Sequence, residues 1–150
     1  MRACLQRVTH ASVRVTNNLV GSCKQGFLIL LGVGPQDTQQ TAQAMWNKIY
    51  GLRVFNDAVG KMNLSLADIN GEVLVVSQFT LYANARRGKR PSFVEAAGPQ
   101  LGNELYEKFC ECAAQDIPHV GRGIFGADMQ VELVNDGPVT IWLDSTELGL

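Results

Sequence analysis

No stretch of this sequence is long and apolar enough to cross a bilayer as a helix. The longest apolar run, residues 27–33, has the length of a strand, against roughly 20 residues for a span. Cysteine is present without a pattern: Cys4, Cys23, Cys110 and Cys112 are irregularly spaced. The opening Met1-Arg2-Ala3-Cys4 also lacks the basic and then apolar layout of a secretion signal, since Gln6, Arg7 and His10 interrupt it. Free thiols and a cytoplasmic location are therefore expected. Histidine is scarce, and neither His10 nor His119 falls into a ligand pattern with the cysteines. Cys110 and Cys112, two apart on an expected helix, do not share a face, so no metal site is expected. The usual catalytic signatures are missing too. There is no GxSxG elbow, HExxH or Walker loop, and Gly32-Val33-Gly34 lacks the later glycine of a dinucleotide fingerprint. No cofactor is implied.

What is present suits one ordinary core. With 150 residues, 46% apolar and 18% charged, the chain has material for one domain, residues 1–150, and too little for two. Leu5, Val8, Val13 and Val15 suggest two short strands broken near residues 9–12, with a turn at Asn17-Asn18. Residues 26–34 read as a strand buried on both faces and ended by Pro35. A helix over 38–50, capped by Asp37 or Thr38 and closed by Gly51, carries Ala42, Met45, Trp46 and Ile49 on one side. A short strand at 53–55 and a turn-rich excursion over 56–63 precede a strongly apolar strand at 72–79. A helix over 99–115 buries Leu101, Leu105, Phe109 and Cys112, residues 121–126 form a glycine-rich connector, and 129–134 and 139–143 are two final strands. The fold class is α+β: a compact domain of seven or eight strands in mixed or antiparallel sheets forming a barrel-like β layer, with two main helices.

Three local features carry candidate chemistry. Arg86-Arg87-Gly88-Lys89-Arg90 places four positive charges in five residues, leaving the rest at −5 within a net charge of −1. Such a loop on a mildly acidic body either holds phosphates at one place or is simply solvated. Ser77, Gln78 and Thr80 end a strand whose residues 73–76 are wholly apolar; they either cap that strand or supply polar groups to a ligand. Gly137-Pro138, between two strands, makes an ordinary turn or, with a cis bond, presents two carbonyl oxygens in a fixed orientation suited to an ammonium group.

The hexapeptides Ser77-Gln78-Phe79-Thr80-Leu81-Tyr82 and Asn135-Asp136-Gly137-Pro138-Val139-Thr140 resemble the two signature motifs of the D-aminoacyl-tRNA deacylases. The resemblance extends over nearly the whole chain, through Gln6-Arg7-Val8-Thr9-His10-Ala11-Ser12-Val13, Gly60-Lys61-Met62-Asn63-Leu64, Arg90-Pro91-Ser92-Phe93 and Gly126-Ala127-Asp128-Met129. It implies a homodimer with the active site at the subunit interface. Gly137-Pro138 of one copy, its bond cis, would enter the pocket of the other, capture the α-amino group and exclude the side chain of an L-amino acid. Glycyl-tRNA, with no side chain to exclude, would be accepted beside D-aminoacyl-tRNA. By the same resemblance Ser77, Gln78, Phe79 and Thr80, with Phe125 and Met129, surround the terminal adenosine and the scissile ester, while Phe125 and Met129 also suit a core. Arg7 would support the Gly-Pro dipeptide. Arg86, Arg87, Lys89 and Arg90 would meet tRNA phosphates.

Ester hydrolysis needs an aligned water and donors where the oxyanion develops, a service that N–H groups around Phe79 and Thr80 can perform. The vicinal ribose hydroxyl of the adenosine can stand in for a protein base. The rival within catalysis is Thr80 as a covalent nucleophile, which needs an activating base that neither motif contains. Outside this class stand a non-catalytic nucleic-acid-binding module and an ordinary small-molecule esterase.

Overall fold

The computed structural model describes residues 1–150, in the order β1 (Arg2–Val15), β2 (Asn18–Cys23), β3 (Gly26–Gly32), α1 (Gln39–Tyr50), β4 (Phe55–Asn56), β5 (Met62–Leu64), β6 (Glu72–Ser77), a 3-10 turn (Phe79–Tyr82), α2 (Pro99–Asp116), β7 (Val120–Arg122), β8 (Gln130–Asp144) and α3 (Ser145–Leu148). The expected α+β class, the two main helices and the barrel-like β layer are all present. The sheet is mixed: β1 pairs antiparallel with β2, β3 and β8, whereas β3–β6 and β6–β7 are parallel.

β1 organises the molecule. β8 follows one of its edges from Arg2 to Arg14, while β3 and then β2 occupy the other. Closure comes where β2 meets β7. A Cβ on Gly21 would lie 2.4 Å from the Arg122 carbonyl oxygen and one on Gly121 2.2 Å from that of Ser22, so the two backbones cross where only glycine fits. Seven side chains fill the interior: Val8, Ala11, Val13, Cys23, Leu28, Leu74 and Val76. The larger cluster, 23 buried residues, lies on the other face of the sheet beneath α1 and α2. There the Trp46 ring stands edge-on to Phe109 at 5.8 Å, and its Nε1 donates to Asp116 Oδ2 at 2.7 Å, satisfying the one polar atom of a fully buried side chain.

Several boundaries differ from the pattern reading. The two expected N-terminal strands are one, because register shifts around Val8 let the chain change which face it buries without breaking: Ala3 and Leu5 belong to the helix-side core, Ala11 and Val13 to the interior. The two final strands are likewise one, β8, running through residues 135–138. Part of the expected connector is β7, and the strand expected at 53–55 begins only at Phe55. β6 stops at Ser77 where the 3-10 turn takes over, and on α2 Leu101 is half-buried, with Tyr106, Cys110 and Ala113 more deeply set.

Candidate active site

Ser77 ends β6 beside Leu31 of β3, and the Gln78 amide extends that pairing by donating to the Leu31 carbonyl at 2.8 Å. The chain then turns sharply. The first bond of the 3-10 turn runs from the Leu81 amide to the Gln78 carbonyl at 3.3 Å, so the amides of Phe79 and Thr80 precede the first bonded donor and have no acceptor within the turn.

Two residues outside the expected site set, Tyr82 at the end of the first motif and Arg2, hold this turn. Tyr82 is buried against Gly34, where a Cβ would lie 2.6 Å from its hydroxyl, and burial pushes its phenol well above the ordinary range. Arg2 lies over the Tyr82 ring at 4.3 Å, donates from Nη1 to the Leu81 carbonyl at 3.1 Å and pairs with Asp144 at 2.8 Å. Nothing in the local pattern marks Arg2, because its partners are 79 and 142 residues away.

A cleft of about 270 Å³ opens at this end of the sheet, lined by Ser77, Gln78 and Phe79 from one side and by Phe125, Asp128 and Met129 from the other. The structure therefore brings five of the expected site residues together. Phe125 and Met129 serve both core and cleft. Phe125 packs over Gly102 of α2 and near Tyr106, and Met129 packs on the barrel interior, yet each leaves surface in the cleft. Beneath them Tyr106 donates its buried hydroxyl to the carbonyls of Val75 and Gly123 at 3.0 and 3.2 Å, tying β6 to the segment after β7. Thr80 stands apart from the cleft lining, and its hydroxyl accepts from Gln78 Nε2 at 2.5 Å. An amide cannot remove a proton, so this neighbour does not activate Thr80 as a nucleophile.

Gly137-Pro138 lies elsewhere on the same chain. The peptide bond between them is cis. The pair projects beside Gln6 and Val8 of β1, and Arg7 is aligned through Phe27 of β3 with Val73 of β6. The dipeptide is thus three strands away from β6 and about four residues, or ~13 Å, further down the strand direction than Ser77. Neither residue lines the cleft.

The dipeptide is exposed but firmly held. Asn135 Oδ1 accepts from the Val139 amide at 2.7 Å, and its Nδ2 donates to the Val139 carbonyl at 3.1 Å, so one side chain clasps the loop as a neighbouring strand would. Arg7, only 5% exposed, donates from Nε to the Asp136 carbonyl at 2.8 Å and from Nη1 to the Val54 carbonyl at 2.5 Å, with Asn56 Oδ1 at 3.4 Å. Gly137 has φ +144, and a Cβ there would lie 2.7 Å from Val139 Cγ2 and 3.2 Å from Arg7 Nη2. No other residue fits this position without movement. Asn135 is legible in the sequence only as part of a motif; its task depends on contacts made after folding.

Arg86, Arg87, Lys89 and Arg90 are all exposed and form no ion pair. Their loop is pinned by the antiparallel bridge between Asn84 and Ser92, and Asn84, Arg86, Arg87 and Ser92 enclose a polar hollow of about 390 Å³. Phe93, next in sequence, packs edge-on against Phe79 with ring centres 5.1 Å apart, which sets the cationic loop beside the cleft. His10 and His119 do not line the cleft: the His10 ring is hydrogen-bonded to the Thr9 hydroxyl, and His119 bonds the Ser22 carbonyl at the barrel seam.

Comparison with known proteins agrees with the motifs. The family described as D-Tyr-tRNA(Tyr) deacylase matches residues 4–144. A D-aminoacyl-tRNA deacylase of Thermotoga petrophila is 56% identical over 148 residues, and one of Fervidobacterium nodosum 52% identical over 148 residues, each match covering 99% of both chains. Among solved structures, one titled c-Myc DNA Unwinding Element Binding Protein superposes with a TM-score of 0.91 at 40% identity, covering 97% of this chain and 99% of that one. A probable eukaryotic D-amino acid tRNA deacylase shares the fold, with a TM-score of 0.79 at 17% identity over 95% of this chain and 97% of that one. With its motifs in place and similarity running from end to end, the chain belongs to the D-Tyr-tRNA(Tyr) deacylase family of ester hydrolases.

Proposed function

We propose that this protein hydrolyses the ester joining a D-amino acid, or glycine, to the terminal adenosine of tRNA, acting in the cytoplasm as a homodimer in which Gly137-Pro138 of one copy completes the cleft of the other. The observation that carries this reading is a separation in space: a rigidly clasped, exposed Gly137-Pro138 loop lies three strands from the cleft of its own chain. A loop held so firmly by Arg7 and Asn135 is suited to contact something outside its own fold. Its carbonyls are acceptors for an ammonium group, and a rigid wall at the α-carbon discriminates by exclusion, without a side-chain code.

In the cleft, Phe125 and Met129 offer apolar surface to the adenosine, and the amides of Phe79, in the lining, and of Thr80, just beyond it, have no acceptor within the turn and would stabilise an oxyanion. The cleft contains no histidine, and Asp128 is its only ionisable side chain. That favours assistance from the substrate's ribose hydroxyl over a protein base, and Gln78 as the partner of Thr80 disfavours a covalent route.

Hydrolysis of D-tyrosyl-, L-tyrosyl- and glycyl-tRNA by one preparation tests the reading. The D and glycyl esters should be cleaved and the L ester spared. Binding of tRNA without faster release of D-tyrosine than in buffer would leave a nucleic-acid-binding module, and cleavage of simple amino-acid esters regardless of the tRNA body would leave a small-molecule esterase. Sedimentation at assay concentration should give a dimer; an active monomer would sink the cross-subunit filter.

A further inference from the structure

We infer that Arg2 is a positioning residue for ester hydrolysis: by gripping the far end of the 3-10 turn, it sets the direction in which the Phe79 and Thr80 amides meet the oxyanion. This inference rests on the deacylase reading and gives a part in it to a side chain outside both motifs.

The near end of the turn is joined to β3 by one backbone hydrogen bond, from the Gln78 amide to the Leu31 carbonyl at 2.8 Å. The Gln78 carbonyl then passes over the end of β3, where a Cβ on Gly32 would lie 3.0 Å from its oxygen. Phe79 and Thr80 are themselves exposed: Phe79 meets Phe93 edge-on, and the Thr80 hydroxyl is bonded within the segment, to Gln78. Little packing on that side resists a rocking of the turn. Restraint is concentrated at the far end, where the Tyr82 ring fills the space that Gly32 and Gly34 leave, 3.3 and 2.6 Å from where their Cβ atoms would lie.

Arg2 closes this end with three parts of one guanidinium. Nη1 donates to the Leu81 carbonyl at 3.1 Å, the flat face covers the Tyr82 ring at 4.3 Å, and Nε donates to Asp144 Oδ2 at 2.8 Å. The Asp144 carboxylate is fixed in turn by the Thr146 amide at 2.9 Å, so the anchor belongs to β8 and its end, not to the turn. Arg2 itself stands in register between Gly32 of β3 and Asp144 of β8. A planar guanidinium directs its nitrogens in fixed directions while its face stacks on a ring, which the point charge of an ammonium does not do.

The grip reaches the chemistry because the turn is short. At a rise of about 2 Å per residue, Leu81 lies only about 4 Å along the axis from Phe79, so a tilt at one end is felt at the other. A displacement of about 1 Å in a positioning group can cost about 100-fold in rate. The apolar surface of Phe125 and Met129 belongs to another segment and stays in place. Loss of Arg2 therefore falls on the transition state more than on the bound ester.

Arg2→Met keeps the apolar stem and removes all three contacts. In single-turnover assays on D-tyrosyl-tRNA its maximal rate is expected to fall about 10- to 100-fold, with the half-saturating concentration moved by less than about 3-fold. An adenosine phosphonate that mimics the tetrahedral intermediate should bind the variant more weakly by a similar factor, whereas planar, amide-linked D-tyrosyl-adenosine should bind both proteins alike. Arg2→Lys keeps the charge beside Asp144 without the flat fork; it should regain most of the Tm and little of the rate, and it carries the test if Arg2→Met does not fold. Trp46→Phe, which gives up the Asp116 bond in the core beneath α1 and α2, is the stability control, with a lower Tm and an unchanged rate. A rate within about 3-fold of the unaltered protein, a loss confined to half-saturation, or equal weakening of both analogues would overturn the positioning role. So would full recovery of rate in Arg2→Lys, or a fall in Trp46→Phe that matches Arg2→Met at the same loss of Tm. Failure of the unaltered protein to cleave D-tyrosyl-tRNA would overturn the deacylase reading, and the part of Arg2 with it.

Discussion

Replacing Arg7 by methionine should uncouple the Gly137-Pro138 loop from the body of the protein, and its cost can be worked from the hydrogen bonds it makes. Methionine keeps much of the buried stem but leaves the Asp136 and Val54 carbonyls without the donors now at 2.8 and 2.5 Å. Each buried acceptor left unsatisfied costs about 1–3 kcal/mol. Removing a guanidinium that is only 5% exposed returns part of this, because its own desolvation no longer opposes folding. A net loss of about 3 kcal/mol is expected, which at roughly 2–4 °C per kcal/mol for a chain of this size is a fall of about 6–12 °C in Tm.

The Asp136 carboxylate contributes little to that sum. It lies 3.5 Å from Arg7 Nε with its side chain 45% exposed, where screening holds such pairs to about 1 kcal/mol or less. Asp136→Asn should therefore be nearly neutral. Thermal unfolding followed by circular dichroism at one fixed protein concentration measures both variants, since the Tm of the proposed dimer would depend on concentration. D-tyrosyl-tRNA hydrolysis should fall further than stability alone dictates, because a displacement of about 1 Å in a positioning group can cost 100-fold. A Tm within about 2 °C of the unaltered protein together with unchanged hydrolysis would refute the claim that Arg7 holds the loop.

Thr80→Val should retain a substantial part of turnover on D-aminoacyl-tRNA in single-turnover assays, whereas a covalent mechanism would lose essentially all of it. Neutralising Arg86, Arg87, Lys89 and Arg90 together should weaken tRNA binding and reduce the slope of log K against log salt by up to about 0.7 for each phosphate no longer neutralised; an unchanged slope assigns the loop to solvent. Burial alone would raise the Asp144 carboxyl, but hydrogen bonds from Arg2 and the Thr146 amide outweigh it and hold the group below its ordinary value. A depressed carboxyl stabilises the fold above its unfolded pKa near 4, and this stabilisation is lost as pH falls through the folded value. Asp144→Asn should thus be less stable than the unaltered protein at neutral pH, with the gap closing in acid denaturation below about pH 4.

Local pattern reads the helices well because their signals are local. Thr38 caps α1 through Thr41, and Ala42, Met45, Trp46 and Ile49 recur at helical spacing, so both ends and the buried face are written within a dozen residues. The long strands escape local pattern for the opposite reason. β1 changes its buried face around Val8, which in sequence is indistinguishable from a break, and only pairing with β8 on one edge and β3 then β2 on the other keeps it continuous. β8 carries a glycine and a proline in mid-strand, ordinarily the mark of a turn; residues 136–139 bulge out of the pairing with β1, which is interrupted between Asn135 and Thr140, and Asn135 clasps Val139 across the bulge.

Two hexapeptides and their flanking blocks suffice to identify the family, and with it the residues on which chemistry is expected. The lack of any histidine or cysteine pattern is equally plain in the amino-acid order, and it directs attention to backbone donors. Which of those residues meet is a matter of folding alone. Ser77, Gln78, Phe79, Phe125 and Met129 share one cleft because β6 and the segment after β7 end side by side, while Gly137 and Pro138 are carried away on β8 in a loop held by Arg7 and Asn135. The reason is geometric: spacing along a chain fixes neighbours within a turn or a strand, but sheet pairing joins residues more than a hundred positions apart, and no local pattern encodes that distance.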